Sequence, residues 1–152
     1  MEKSKQCIDT LVQLRKELHK HPEVSGKEIQ TAQRIISFLE KHTPDELITG
    51  IGTTGVVAIY NGKKAGKTVL FRCELDALPI EETNTFEHRS ISNGVSHKCG
   101  HDGHMAILCG LAAELHANKL ESGTVLLLFQ PAEEDGKKKK KVFSDAQFST
   151  LH

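Results

Sequence analysis

The run Val125-Leu-Leu-Leu-Phe129 limits the possible folds of this chain more than any other feature. Successive side chains of a strand point to opposite faces, so an unbroken apolar run is apolar on both. Residues 123–130 are therefore expected to form a central strand, covered on both sides. A helix is expected before it, from near Asp102 to about Ala117, with Ile107, Leu108, Leu111, Ala112 and Leu115 as its apolar stripe. Residues 68–72 read as an earlier strand. Strand, helix and strand make a parallel βαβ unit, and the fold class is α/β, with a mostly parallel central sheet flanked by helices. In open sheets of this kind, sites gather beyond the carboxyl ends of the strands. Asp76 follows one such end; Glu133 and Glu134 follow the other.

Upstream, Ile8, Leu11, Val12, Arg15 and Leu18 fall at helical spacing, and Pro22 stops that helix. A second helix is expected from Ser25, with Ser25 and Glu28 as a capping box and Ile29, Ala32, Ile36 and Leu39 on one face. Gly50, Gly52 and Gly55 mark a loop, residues 56–60 a strand and Asn61-Gly62 a turn. Residues 81–98 are polar and irregular.

Composition narrows the function. Lys+Arg and Asp+Glu both number 20, which gives no electrostatic reason to expect nucleic acid or an anionic membrane surface as partner. The lysines at 137–141 read as a solvated loop, since no aromatics are interleaved with them. No apolar run approaches the ~20 residues needed to span a bilayer. Four irregularly spaced cysteines, with no leader segment visible, suit a reducing, cytoplasmic setting.

The chemistry concentrates in His97-Lys-Cys-Gly-His-Asp-Gly-His104, which offers one thiol, three imidazoles and a carboxylate. These ligands suit Zn²⁺, Mn²⁺ or Co²⁺. The glycines at 100 and 103 allow a tight backbone. A structural zinc site usually pairs two Cys-x-x-Cys motifs, and none is present; a catalytic site gathers ligands from distant parts of the chain. Glu133-Glu134 is the expected second source. One glutamate can coordinate, while the other takes a proton from water whose pKa a metal lowers towards ~7. Within the same segment Asp102 reads first as the helix N-cap. His104 suits packing or function equally, and so does His97 a loop or a substrate-binding role. His19 and His21 flank a helix end and can interact with its dipole.

Five segments, in order, resemble the aminoacylase and carboxypeptidase-like amidohydrolases, the group of hippurate hydrolases and indole-acetyl-amino-acid hydrolases. They are Leu14-Arg-Lys-Glu-Leu-His-Lys-His-Pro-Glu-Val-Ser25, Gly52-Thr-Thr-Gly55, Phe71-Arg-Cys-Glu-Leu-Asp-Ala-Leu-Pro-Ile80, His97 to Ala106, and Phe129-Gln-Pro-Ala-Glu-Glu134. The resemblance implies a zinc-peptidase-like catalytic domain with two divalent ions, manganese or zinc, with cobalt a further fit. It implies Cys99, His101 and Glu134 as metal ligands, Glu133 as general acid/base and Asp76 as an orienting carboxylate behind the site. The family usually carries a carboxylate at the position of Glu74 as well. The implied substrate is a small N-acyl amino acid, cleaved at its amide bond.

The family's remaining ligands are two histidines further downstream, and its second domain covers the site and pairs subunits as a homodimer. His152 stands closer to Glu134 than the family's next histidine, so that role is not carried over to it. Residues 1–152 are thus expected to be the N-terminal part of the catalytic domain, without the lid domain and incomplete as a catalyst. The rival is a non-catalytic metal-binding fragment or gene remnant. A cysteine hydrolase built on Cys99 ranks third, because no oxyanion hole is evident. A central strand such as 124–130 needs neighbours on both edges, and with downstream strands absent the chain is expected to be marginal, with exposed apolar surface and edge strands liable to associate.

Overall fold

A computed structural model describes residues 2–134. The elements run α1 (Glu2–Lys20), α2 (Ile29–Glu40), β1 (Glu46–Ile51), β2 (Gly55–Asn61), β3 (Lys64–Glu74), α3 (His101–Ala117) and β4 (Ser122–Gln130). The lysines at 137–141 and His152 lie outside the described residues.

The βαβ unit forms as expected: β3 pairs with β4 in parallel, from Thr68 opposite Thr124 to Glu74 opposite Gln130, with α3 as the crossover. The α/β class holds, but the sheet is mixed rather than mostly parallel. Its order is β1-β2-β4-β3, and both β1–β2 and β2–β4 are antiparallel. A parallel pair needs a long crossover. Only the β3–β4 connection provides one here, whereas β1 turns directly into β2. The strand missed in the sequence is β1, whose exposed and half-buried residues lack the alternation that announces a strand. Asn61-Gly62 does not close a hairpin, because β4 lies between β2 and β3.

β4 is central, as its apolar run requires, and is paired on both edges within this chain, contrary to the expectation of missing neighbours. Leu127 and Phe129 face a core built with Val56, Ala58, Tyr60 and Cys73 from the sheet. Leu18, Ile35, Leu39, Met105, Cys109 and Ala112 complete it from the three helices. Leu126 and Leu128 face the other side, with Ile51, Val57 and Ile59. Each fully buried Val, Leu, Ile, Phe or Met among them contributes about 1.5–3 kcal/mol. Among the described residues β1 and β3 are the two edges, and on β3 Val69, Leu70 and Phe71 remain 42–46% exposed.

The helix faces are rotated from the simplest sequence reading. In α3 the buried positions are 101, 102, 105, 106, 108, 109, 112 and 115, and Ile107 falls off this face, 70% exposed. In α1, Leu18 is buried and Leu11 and Leu14 pack against the core, while Ile8 and Val12 face outward. No helix among the described residues is long and apolar enough to cross a membrane.

Candidate metal centre

β3 and β4 run parallel, so their carboxyl ends point the same way, and α3 starts beside them. The chain leaving β3 is fastened at once. Leu75 N–H donates to Gln130 O at 2.8 Å, and Ala77 N–H to Glu23 O at 2.8 Å. Asp76, held between, is fully buried. Its Oδ2 accepts the Ser25 hydroxyl at 2.5 Å and the Glu134 backbone N–H at 3.0 Å. Ser25 is therefore not the cap of α2. The residue before that helix is Glu28, which makes no side-chain cap. The capping box fails because both of its side chains are drawn towards the sheet.

Glu28 is buried at the same end. Its Oε1 accepts the N–H groups of Gly26 at 2.7 Å and Ala132 at 2.8 Å, and its Oε2 the Thr54 hydroxyl at 3.1 Å. One carboxylate thus ties together three loops. Ala132 sits at φ 52°, a strained conformation for a residue with a Cβ. The Glu28 bond helps hold it, and so directs Glu133 and Glu134 back over the sheet. Gly55 makes room for this turn: a Cβ there would meet Ile51 O at 2.5 Å and Pro131 Cδ at 3.0 Å.

At the start of α3, Gly100 is the N-cap at φ 82°, a conformation open to glycine. Asp102 is not the cap. It is buried in the first turn of the helix, where its Oδ2 lies 2.8 Å from His19 Nδ1 and 2.9 Å from Arg15 Nε. His19 Nε2 lies 2.7 Å from Glu82. His19 is thus a bridge between α1, α3 and the loop through Glu82.

These constraints bring Cys99, His101 and Glu134 together, with one potential ligand atom from each lying within 4.8 Å of the others. His101 Nδ1 is 2.7 Å from the Asp76 carbonyl oxygen. A carbonyl only accepts, so Nδ1 carries the proton and Nε2 is left with a free lone pair. Nε2 lies 3.8 Å from Glu134 Oε1. The Cys99 thiol donates to the Glu134 carboxylate, and this bond, with some desolvation and the nearby charges of Glu134, Glu133 and Asp76, raises its pKa to about 11. Glu133 thus stands within electrostatic reach of the same sulfur. Asp76 Oδ1 is buried, 3.8 Å from His101 Nδ1 and without a hydrogen-bond partner. His97 is buried behind the cluster with neither ring nitrogen partnered, and burial lowers its pKa to about 4.

A second grouping shares His101: Glu74, His101 and His104 also bring ligand atoms within 4.8 Å of one another. From sequence alone, His104 suits packing and function equally, and Glu74 carries no assigned role. The proximity of the two follows only from β3 lying beside α3.

The family model for peptidase family M20/M25/M40 matches residues 70–147. The chain belongs to this family. Among its relatives, thermostable carboxypeptidase 2 of Saccharolobus solfataricus is 46% identical over 134 residues, covering 87% of this chain and 34% of that protein. N-acetylcysteine deacetylase of Bacillus subtilis is 39% identical over 125 residues, covering 82% of this chain and 33% of that protein. The crystal structure of the Bacillus subtilis YXEP protein, described as a dinuclear metal-binding peptidase from the M20 family, superposes with a TM-score of 0.87 at 35% identity. It covers 97% of this chain and 41% of that one. The chain spans about a third of the length of the curated relatives it matches.

Proposed function

We propose that this chain supplies the N-terminal part of the catalytic domain of a metal-dependent amidohydrolase that cleaves N-acyl amino acids at the amide bond. The observation that carries the reading is the convergence of Cys99, His101 and Glu134, with His101 Nε2 left free to coordinate. A thiol, an imidazole and a carboxylate fit a divalent ion of the zinc, manganese or cobalt type. The orphaned, buried Asp76 Oδ1 points to a positive charge completing this end of the sheet. The relatives' names, a carboxypeptidase and an N-acetylcysteine deacetylase, support cleavage of such amides.

In this reading Cys99, His101 and Glu134 hold one ion. Asp76 fixes the His101 tautomer through its carbonyl and the Glu134 loop through its carboxylate. What a bound divalent ion supplies is Lewis-acid polarisation of the amide carbonyl and activation of water. Glu133 takes a proton from the attacking water and returns it to the leaving amine nitrogen. A second ion, a lid domain and a homodimer would draw on residues outside 2–134. Cytoplasmic action is part of the proposal and rests on four cysteines that are all unpaired.

The test is Glu133→Gln in the protein as its native source makes it. Hydrolysis of N-acetyl amino acids is expected to fall by roughly 10²–10⁴ in kcat with metal content unchanged. Full activity in this variant would remove Glu133 from its role. One observation favours a second reading, a metal-binding protein without turnover: among the described residues, the grouping of Cys99, His101 and Glu134 offers three ligands, enough for one ion. Metal bound without hydrolysis by the native protein, whatever its intact mass, would favour it.

A further inference from the structure

We propose that Glu74 and His104 form a second seat for a divalent cation, one that shares His101 Nε2 with the Cys99–Glu134 seat and is used in exchange with it. Glu74 is buried, and its Oε1 is held by Arg72 Nη2 at 2.6 Å. That leaves Oε2 aimed at two imidazoles, 3.3 Å from His104 Nδ1 and 3.9 Å from His101 Nε2. Ligands on a tetrahedral ion with bonds of about 2.0–2.1 Å stand roughly 3.4 Å apart, so this spacing needs little adjustment to close on a metal. The side chain of His104 is 54% exposed. It borders a pocket of about 270 Å³ lined by Arg72, Cys73, Glu74, His104, Ile107 and Leu108. Water and an incoming ion therefore have access, and the coordination sphere has room for solvent ligands.

Exchange rather than simultaneous occupancy follows from His101. Its Nδ1–H is committed to the Asp76 carbonyl, so only Nε2 can coordinate, and one lone pair serves one ion. Nε2 lies almost equally far from Glu134 Oε1, at 3.8 Å, and Glu74 Oε2, at 3.9 Å. A small rotation of the ring selects between them. The two seats differ in chemistry. The Cys99 seat offers a soft sulfur ligand, whereas the Glu74 seat offers only nitrogen and oxygen. The Glu74 seat thus suits a loading position, open to solvent and independent of the thiol.

Cobalt(II) binding to the full chain tests this, because thiolate ligation adds a near-ultraviolet charge-transfer band that nitrogen and oxygen ligation lacks. In Cys99→Ala, one cobalt ion is expected to remain bound without that band. Adding His104→Ala, or Glu74→Gln, to Cys99→Ala should weaken binding at least tenfold, and far-UV circular dichroism checks that each variant is folded. A folded Cys99→Ala that binds no cobalt, or a double variant that binds as tightly as Cys99→Ala, overturns the proposal. The proposed function fails by a different sign: its mark would be an absent thiolate band in the parent chain.

Discussion

The two ends of the sheet are built from the same strands but carry opposite kinds of polar group. At the amino end of β3 and β4, the polar contacts are exposed. Lys63 pairs with Glu121 at 2.7 Å with both side chains mostly in solvent, and Thr124 donates to Asn61 at 2.9 Å. At the carboxyl end, Asp76, Glu28, Asp102, His97 and His101 are buried. Several of their atoms have no partner, among them Asp76 Oδ1, Asp102 Oδ1 and both His97 nitrogens. Burying an unpaired polar atom costs about 1–3 kcal/mol, so this end is expensive and the other is not. Cost concentrated where parallel strands and a helix start converge is the mark of a site rather than of a scaffold.

Substitutions at the two ends should therefore differ in effect. The largest loss of stability is expected from Glu28→Ala, which leaves the Gly26 and Ala132 amides and the Thr54 hydroxyl without their acceptor. We expect about 3 kcal/mol in urea unfolding. A loss near zero would mean that the three loops hold themselves, and the carboxyl end would no longer stand apart.

Acid should act next, through Glu82. The hydrogen bond from Lys98, followed by those of His19 and Asn84, lowers its pKa from the ordinary 4.5 to about 2. A depressed carboxylate contributes stability above its unfolded value and loses it as pH falls through the folded one. Stability should accordingly decline between pH 4.5 and 2, and Glu82→Gln should flatten that decline. Parallel pH profiles for the two proteins would show that Glu82 contributes nothing there. The smallest effect belongs to the amino end: Lys63→Ala should cost less than about 0.5 kcal/mol, as expected for an exposed ion pair. A cost above 1 kcal/mol would blur the contrast between the ends.

How much of this was legible in the sequence follows the range of the interactions. β4 and α3 announce themselves through local patterns, an apolar run and a helical stripe. The position of Asp76 and the glutamate pair after strand ends followed from topology alone. Cys99 and His101 stood out because they are two residues apart. Other pairings carry no local signal. Ser25 meets Asp76 across 51 positions, His19 meets Asp102 across 83 and Glu28 meets Ala132 across 104. The spacing of Ser25 and Glu28 suggested a cap, and tertiary partners claimed both side chains instead. Ile107 was misplaced for a related reason: an apolar residue in an apolar helix was assigned to the core, although its angular position puts it outside.

Both proposed seats need His101 Nε2, and cobalt(II) titration of the purified chain beside its His101→Ala variant tests that most directly. The parent should bind cobalt with a thiolate charge-transfer band, and folded His101→Ala should lose roughly 100-fold or more in affinity, since both seats depend on this ring. Equal affinity in the two proteins would contradict the account.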